Sequence, residues 1–147
     1  MTSKFIFEGP IPLDTLQKIS SARTRFDIGS EAFFLGIIRA DKSENQKVVG
    51  IDYTAYTPMA NKVFQEIQDD ILQQYGILKL VILHSVGMVK IGEASMLVYV
   101  QSKHRKAAFE ALEQTVELIK EKAPVWKQEF YEDDSYLWVN VEKDERL

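Results

Sequence analysis

The sequence predicts an α+β fold with a mixed, mainly antiparallel sheet, two long helices and a small C-terminal β portion. Three observations predict it. β-Rich runs and helical periodicities follow one another in mixed order, without the strict alternation of a doubly wound sheet. Two stretches, one ending at Tyr75 and one at Lys122, repeat apolar residues at helical spacing. The chain closes on two aromatic-rich runs joined by an acidic turn.

Lys4–Glu8 reads as a short strand, and Pro12 followed by Leu13, Leu16 and Ile19 begins a first helix. Ala32–Arg39 is a buried strand interrupted by Gly36, where a bulge or a close backbone approach is expected. The polar stretch Ala40–Lys47 is a loop, and Val48–Tyr56 is the next strand. From Met59 to Tyr75 the apolar residues Val63, Ile67, Ile71 and Leu72 mark a helix, with Gly76 at its C-terminal stop.

Leu78–Val86 and Ser95–Gln101 surround the turn-prone Gly87 and Gly92 and are expected to pair as antiparallel neighbours, with Met88–Ile91 as a short strand between them. Ser102 suits the N-cap of a helix running to Lys122, whose apolar face comprises Ala108, Ala111, Leu112, Thr115 and Ile119. Pro124 ends that helix, because the residue before proline disfavours helical geometry. Trp126–Tyr131 and Tyr136–Val141 are the closing strands, and Trp126 and Trp138 are expected to anchor the core. No repeat, low-complexity tract or linker divides the chain, so residues 1–147 are read as one domain.

The 147 residues are 46% hydrophobic and 27% charged, the balance of an ordinary domain with a substantial core. There is no apolar run of membrane-spanning length, and the first residues hold no apolar stretch long enough for a signal peptide, so a cytoplasmic location is expected. The absence of cysteine excludes disulfides, a thiolate nucleophile and thiolate-bound metals. Any sulfur chemistry must import its sulfur. A net charge of −4 argues against nucleic acid as a partner.

No catalytic signature is legible from spacing alone: GxSxG, a P-loop, HExxH and GxGxxG are all missing. Five cationic positions carry what chemistry there is. Arg39 closes an apolar strand, and His104 and Arg105 open a helix, where free N–H groups and the helix dipole favour an anion such as phosphate. Lys120 and Lys127 bracket the helix-ending Ala-Pro-Val-Trp. Two of these groups have a plainer reading: a solvated basic turn for His104 and Arg105, and dipole-complementing surface lysines for Lys120 and Lys127. His84, inside a strand, is a core or hydrogen-bonded histidine, and two histidines make a zinc site improbable.

The run GEASMLVYVQSKHRKAAFEA (Gly92–Ala111), continued by IKEKAPVWKQE (Ile119–Glu129), resembles the large-subunit family of molybdopterin synthase. The matching elements are Gly92-Glu93-Ala94, Ser102-x-His104-Arg105 and Lys120-x-x-x-Pro124-x-Trp126-Lys127-x-Glu129. Upstream, GSEAFFLGIIR (Gly29–Arg39) and YTAYTPMA (Tyr53–Ala60) are similar to two further family patterns, so the likeness runs in order over about residues 29 to 140.

The resemblance implies an α/β-hammerhead-like fold and an enzyme without a cofactor. A small ubiquitin-like sulfur-carrier subunit would insert a C-terminal Gly-Gly thiocarboxylate, and the pterin substrate, cyclic pyranopterin monophosphate, would leave as a dithiolene. The positions it carries over are Ile37, Ile38, Arg39, His104, Arg105, Lys120, Lys127, Gln128 and Glu129 for substrate, with Lys120 and Lys127 catalytic. Arg39, His104 and Arg105 would hold anionic parts of the pterin. The lysines would stabilise developing negative charge or move protons, since a lysine partly buried beside other cations titrates nearer neutrality.

If one helix holds both His104 and Lys120, sixteen residues separate them, or roughly 24 Å at about 1.5 Å per residue. A pterin cannot bridge that distance. Should both serve one substrate, a symmetric homodimer with composite sites follows, and with the sulfur-carrier subunit the resemblance implies a heterotetramer. Three departures from the family pattern stand out: Ser85 where an arginine is common, Thr54 for a glutamate, and Ile37 at a position that is sometimes basic. The competing readings are a non-catalytic α+β ligand-binding or interaction domain and a ferredoxin-like regulatory dimer. Neither needs this set of cations.

Overall fold

A computed structural model describes residues 4–43 and 46–139. In chain order the elements are β1 (Ile6–Glu8), α1 (Asp14–Ser21), β2 (Ser30–Ile37), β3 (Lys42–Ser43), β4 (Gln46–Ala55), α2 (Thr57–Tyr75), β5 (Lys79–Lys90), β6 (Ala94–Ser102), α3 (Arg105–Lys122), β7 (Val125–Tyr131) and β8 (Tyr136–Trp138). The main path of the sheet is β2-β6-β5-β4-β7-β8, antiparallel throughout, while β1 adds a parallel pairing to β5 and β3 an antiparallel one to β4. The mixed, mainly antiparallel α+β fold with two long helices and a small C-terminal β portion is what forms.

β5 is the hinge of this sheet. Its first half pairs with β6, from Lys79 opposite Gln101 to His84 opposite Met96, and its second half pairs with β4, from Gly87 opposite Tyr53 to Lys90 opposite Gly50. Gly87, at φ 87°, lies between the two halves in a conformation that glycine adopts at little cost. Met88–Lys90 is therefore the continuation of β5, and no separate strand forms there. The tight turn into β6 has Gly92 at φ 82°, and Glu93 N–H donates to the Lys90 carbonyl at 3.0 Å. At Gly36/Ile37 the β2–β6 register slips, the bulge expected of that glycine.

The core lies between one face of the sheet and the two long helices. α2 presents Ala60, Phe64, Ile67 and Ile71, and α3 presents Ala108, Ala111, Thr115 and Ile119, against Leu80, Ile82, Val98 and Val100 of the central strands. Gly76 caps α2 at φ 61°, in the left-handed geometry a C-terminal glycine supplies. On the opposite face a smaller cluster of Ile11, Ala94 and Leu97 is covered by Leu16 and Ile19 of α1.

Several expectations change. The β2–β6 ladder holds Ser102 as the last residue of a strand, opposite Ser30, so α3 is capped at His104 and Ser102 Oγ accepts the His104 N–H at 3.4 Å. Pairing across the sheet outweighs the intrinsic preference of serine for an N-cap. The stretch Ala40–Lys47 contributes β3 and the start of β4 at its described ends. α2 begins at Thr57, with Pro58 in its first turn. β8 ends at Trp138 and Val139 lies just past it, its N–H donating to the Lys127 carbonyl at 2.9 Å, while the last two residues of the expected continuation to Val141 lie outside the described residues.

Trp126 and Trp138 are not core anchors, being 47% and 59% exposed. The period-two alternation of β7 turns Val125, Lys127, Glu129 and Tyr131 inward, and so turns Trp126 outward. Trp138 lies on β8, the last strand of the main sheet path, whose three residues are all exposed.

Candidate active site

That alternation gives β7 an inverted polarity, with the lysine and the glutamate facing the core and the tryptophan facing solvent. Lys127 is only 6% exposed and lies directly opposite Tyr53 of β4, itself buried. Glu129 lies opposite Ile51 and accepts a hydrogen bond from the Tyr131 hydroxyl at 2.8 Å. Gln128 faces the other way, half-buried, opposite Asp52. Lys120 is half-buried in the last turn of α3, and only Ala123 and Pro124 separate that helix from β7. The two lysines thus flank a single short link.

Near Lys127 lies His84 of β5, which is not among the residues expected to touch substrate. It is 5% exposed, stacks on Phe64 at 6.2 Å between centroids and meets Tyr53 edge-on at 5.3 Å. Its pKa is lowered to about 4, chiefly because burial penalises the imidazolium; the nearby Lys127 charge adds to this, and the Ser85 carbonyl opposes it. The hydrogen-bonded core histidine expected from the sequence is what forms, and its nearness to a buried lysine is the addition.

The other predicted residues divide between two ends of the molecule. Ile38 is buried, its N–H donating to the Glu93 carbonyl and its carbonyl accepting from Gly92 N–H. Arg39 follows it, exposed and paired with Asp41 at 3.4 Å. Ile37 is exposed and lines an open groove of about 410 Å³ with residues 10–13 and 92–94. That groove is largely apolar, and its one charged lining residue, Glu93, is engaged with the Lys90 N–H at 2.8 Å. It is no anion pocket.

His104 and Arg105 lie exposed at the start of α3, beyond Ser102. Ser102 pairs with the first residue of β2, whereas Arg39 lies just past the last, so roughly 25 Å of strand separates them. α3 runs unbroken from Arg105 to Lys122 and puts roughly 22 Å between Arg105 and Lys120. One copy of the chain therefore joins Lys120 to Lys127 and keeps His104 and Arg105 apart from both.

Of the departures, Ser85 is fully buried and its hydroxyl has no hydrogen-bond partner among the described residues. Thr54 is exposed, on the face of β4 turned away from Lys127. No group of His, Cys, Asp and Glu side chains among the described residues could hold a metal ion. None of the described helices is long and apolar enough to cross a membrane.

A mixed, mainly antiparallel α+β sheet backed by two long helices, with a lysine held in its core, defines the class of protein. The chain belongs to the MoaE protein family, whose model matches residues 7–122. It is 39% identical over 127 residues to the molybdopterin synthase catalytic subunit of Aspergillus niger, covering 86% of this chain and 68% of that protein. It spans little more than half the length of the mammalian proteins of that name.

Among solved structures, molybdopterin synthase from Staphylococcus aureus superposes with a TM-score of 0.83 at 30% identity, over 95% of this chain and 99% of that one. A complex of subunits 1 and 2 of molybdopterin-converting factor from Helicobacter pylori does so at 0.74 and 26% identity, over 92% and 89%.

Proposed function

We propose that this chain is the catalytic subunit of a molybdopterin synthase. It moves sulfur from the thiocarboxylated C-terminal Gly-Gly of a small sulfur-carrier subunit to cyclic pyranopterin monophosphate, making the molybdopterin dithiolene. The observation that carries this reading is Lys127: an ammonium is costly to bury, and a core-facing strand position is more simply filled by valine or isoleucine. A lysine kept there, one short link from Lys120, is a reacting group in waiting. The family relationship supports the substrate, and the two-subunit Helicobacter complex supports the partner.

Lys127 and Lys120 stabilise the negative charge that develops as the thiocarboxylate sulfur attacks, or carry the protons that accompany it. Ile37, Ile38 and Arg39, with Gln128 and Glu129, border the substrate, and Arg39 pairs with its anionic part. His104 and Arg105 are too distant to serve the same pterin from the same chain, so they come from a second copy. The working assembly is a homodimer carrying a sulfur-carrier subunit on each copy, and its compartment is the cytoplasm.

Reconstitution tests this directly: chain, thiocarboxylated carrier and precursor are mixed and dithiolene product is measured. Lys127→Ala is expected to slow product formation by about 100-fold or more. An undiminished rate would remove Lys127 from the mechanism.

A further inference from the structure

The side chains around Lys127 form a connected run through three strands and a helix. His84 Nδ1–H donates to the Ser85 carbonyl at 2.8 Å, which fixes the tautomer and leaves Nε2 with a lone pair that can only accept. Phe64 of α2 backs the imidazole at an interplanar angle of 29°, and Tyr53 meets its edge at 77°. Tyr53 also faces Lys127 across the β4–β7 ladder, where directly opposed side chains share a face with Cβ atoms about 5 Å apart. Tyr53, His84 and Lys127 are all buried. A histidine whose sole need was a hydrogen bond to the adjacent carbonyl would gain nothing from this neighbourhood, and phenylalanine would fill the volume.

We propose that His84 and Tyr53 are positioning residues for Lys127: the imidazole, locked by its hydrogen bond to the Ser85 carbonyl, and the phenol ring form the wall that fixes where its side chain sits. The proposal rests on the reading of Lys127 as a reacting group. An imidazole that stays neutral at physiological pH offers an acceptor and never a competing cation, so it favours the protonated lysine.

Other titratable groups near this wall are few. β7 contributes Glu129 and Tyr131, and the end of α3 contributes half-buried Lys120. The charged residues of α2 (Lys62, Glu66, Asp69 and Asp70) are all exposed. β1 and β6 place Ile6 and Met96 beside His84, neither of which titrates.

The coupling is reciprocal and can be read without turnover. In full-length Lys127→Met, the His84 imidazole signals followed by NMR through the acidic range should give a midpoint above that of the wild-type chain, because the Lys127 charge lowers it. An unchanged or lower midpoint would overturn the proposal. In the complete enzyme, His84→Phe should shift the lysine-dependent limb of the kcat–pH profile toward acid by about half a pH unit or more, with KM for the carrier little changed. His84→Gln, which restores an acceptor, should return the limb toward wild type. Variants that lose thermal stability while keeping the native pH profile would reduce His84 to a packing residue. Full activity of Lys127→Ala would defeat the proposed function, and the His84 midpoint would still report on the wall.

Discussion

Glu31 of β2 gathers four donors onto one carboxylate. Arg23 grips it with two hydrogen bonds of 2.6 and 2.8 Å, the Ser20 hydroxyl donates at 2.7 Å and the Gln101 amide at 3.0 Å. These contacts, Arg23 first, hold its pKa at about 2 against an ordinary 4.5. A carboxylate with a depressed native pKa contributes stability that is complete above the unfolded value and is lost as pH falls through the native one. The urea midpoint should therefore decline between about pH 4.5 and 2, and Glu31→Gln should flatten that decline while costing about 2 kcal/mol at neutral pH. His84 works over a higher window. Its buried neutral ring must be charged on unfolding below pH 6.5, so its stabilisation is lost between there and about 4.

At the scale of elements, the join between β2, β6 and α3 leaves no spare room. Gly29 N–H donates to the Ser102 carbonyl at 3.0 Å, and a Cβ added at Gly29 would overlap the backbone carbonyl of Lys103. Gly29→Ala should cost about 1–3 kcal/mol in a denaturant titration and displace the start of α3, lowering activity through His104 and Arg105. A variant with native stability and activity would show that this join yields freely.

Helical spacing with Gly76 and Pro124 as stops made both long helices legible in the sequence, because each is a local signal. The strands were legible as runs, but their ends were set by partners distant in sequence. Ser102 has the residue type of a cap and is a strand residue, and Met88–Ile91, expected as a strand of its own, continues β5 as far as Lys90. Trp126 misled for the same reason: residue type suggested the core, and the phase of β7 put Lys127 there instead. That phase was available, since Val125 and Tyr131 are both apolar and six residues apart, and it carries Lys127 and Glu129 inward with them. The contact of His84 with Tyr53, and its nearness to Lys127, come from three strands meeting at β4 and β5, which nothing in local sequence encodes.

At the scale of the whole molecule, the sheet keeps its cations at two ends. Lys120 and Lys127 share one link, Arg39 lies past the end of β2, and His104 and Arg105 lie beside its beginning. A single substrate touched by all of them requires two copies in symmetric exchange. Mixing two separately inactive variants, His104→Ala and Lys127→Ala, measures this most directly. Random exchange makes half the dimers mixed, each with one intact site of two, so dithiolene production should recover to about a quarter of wild type. No recovery above the two parent variants, with exchange of subunits verified, would contradict a site shared between copies.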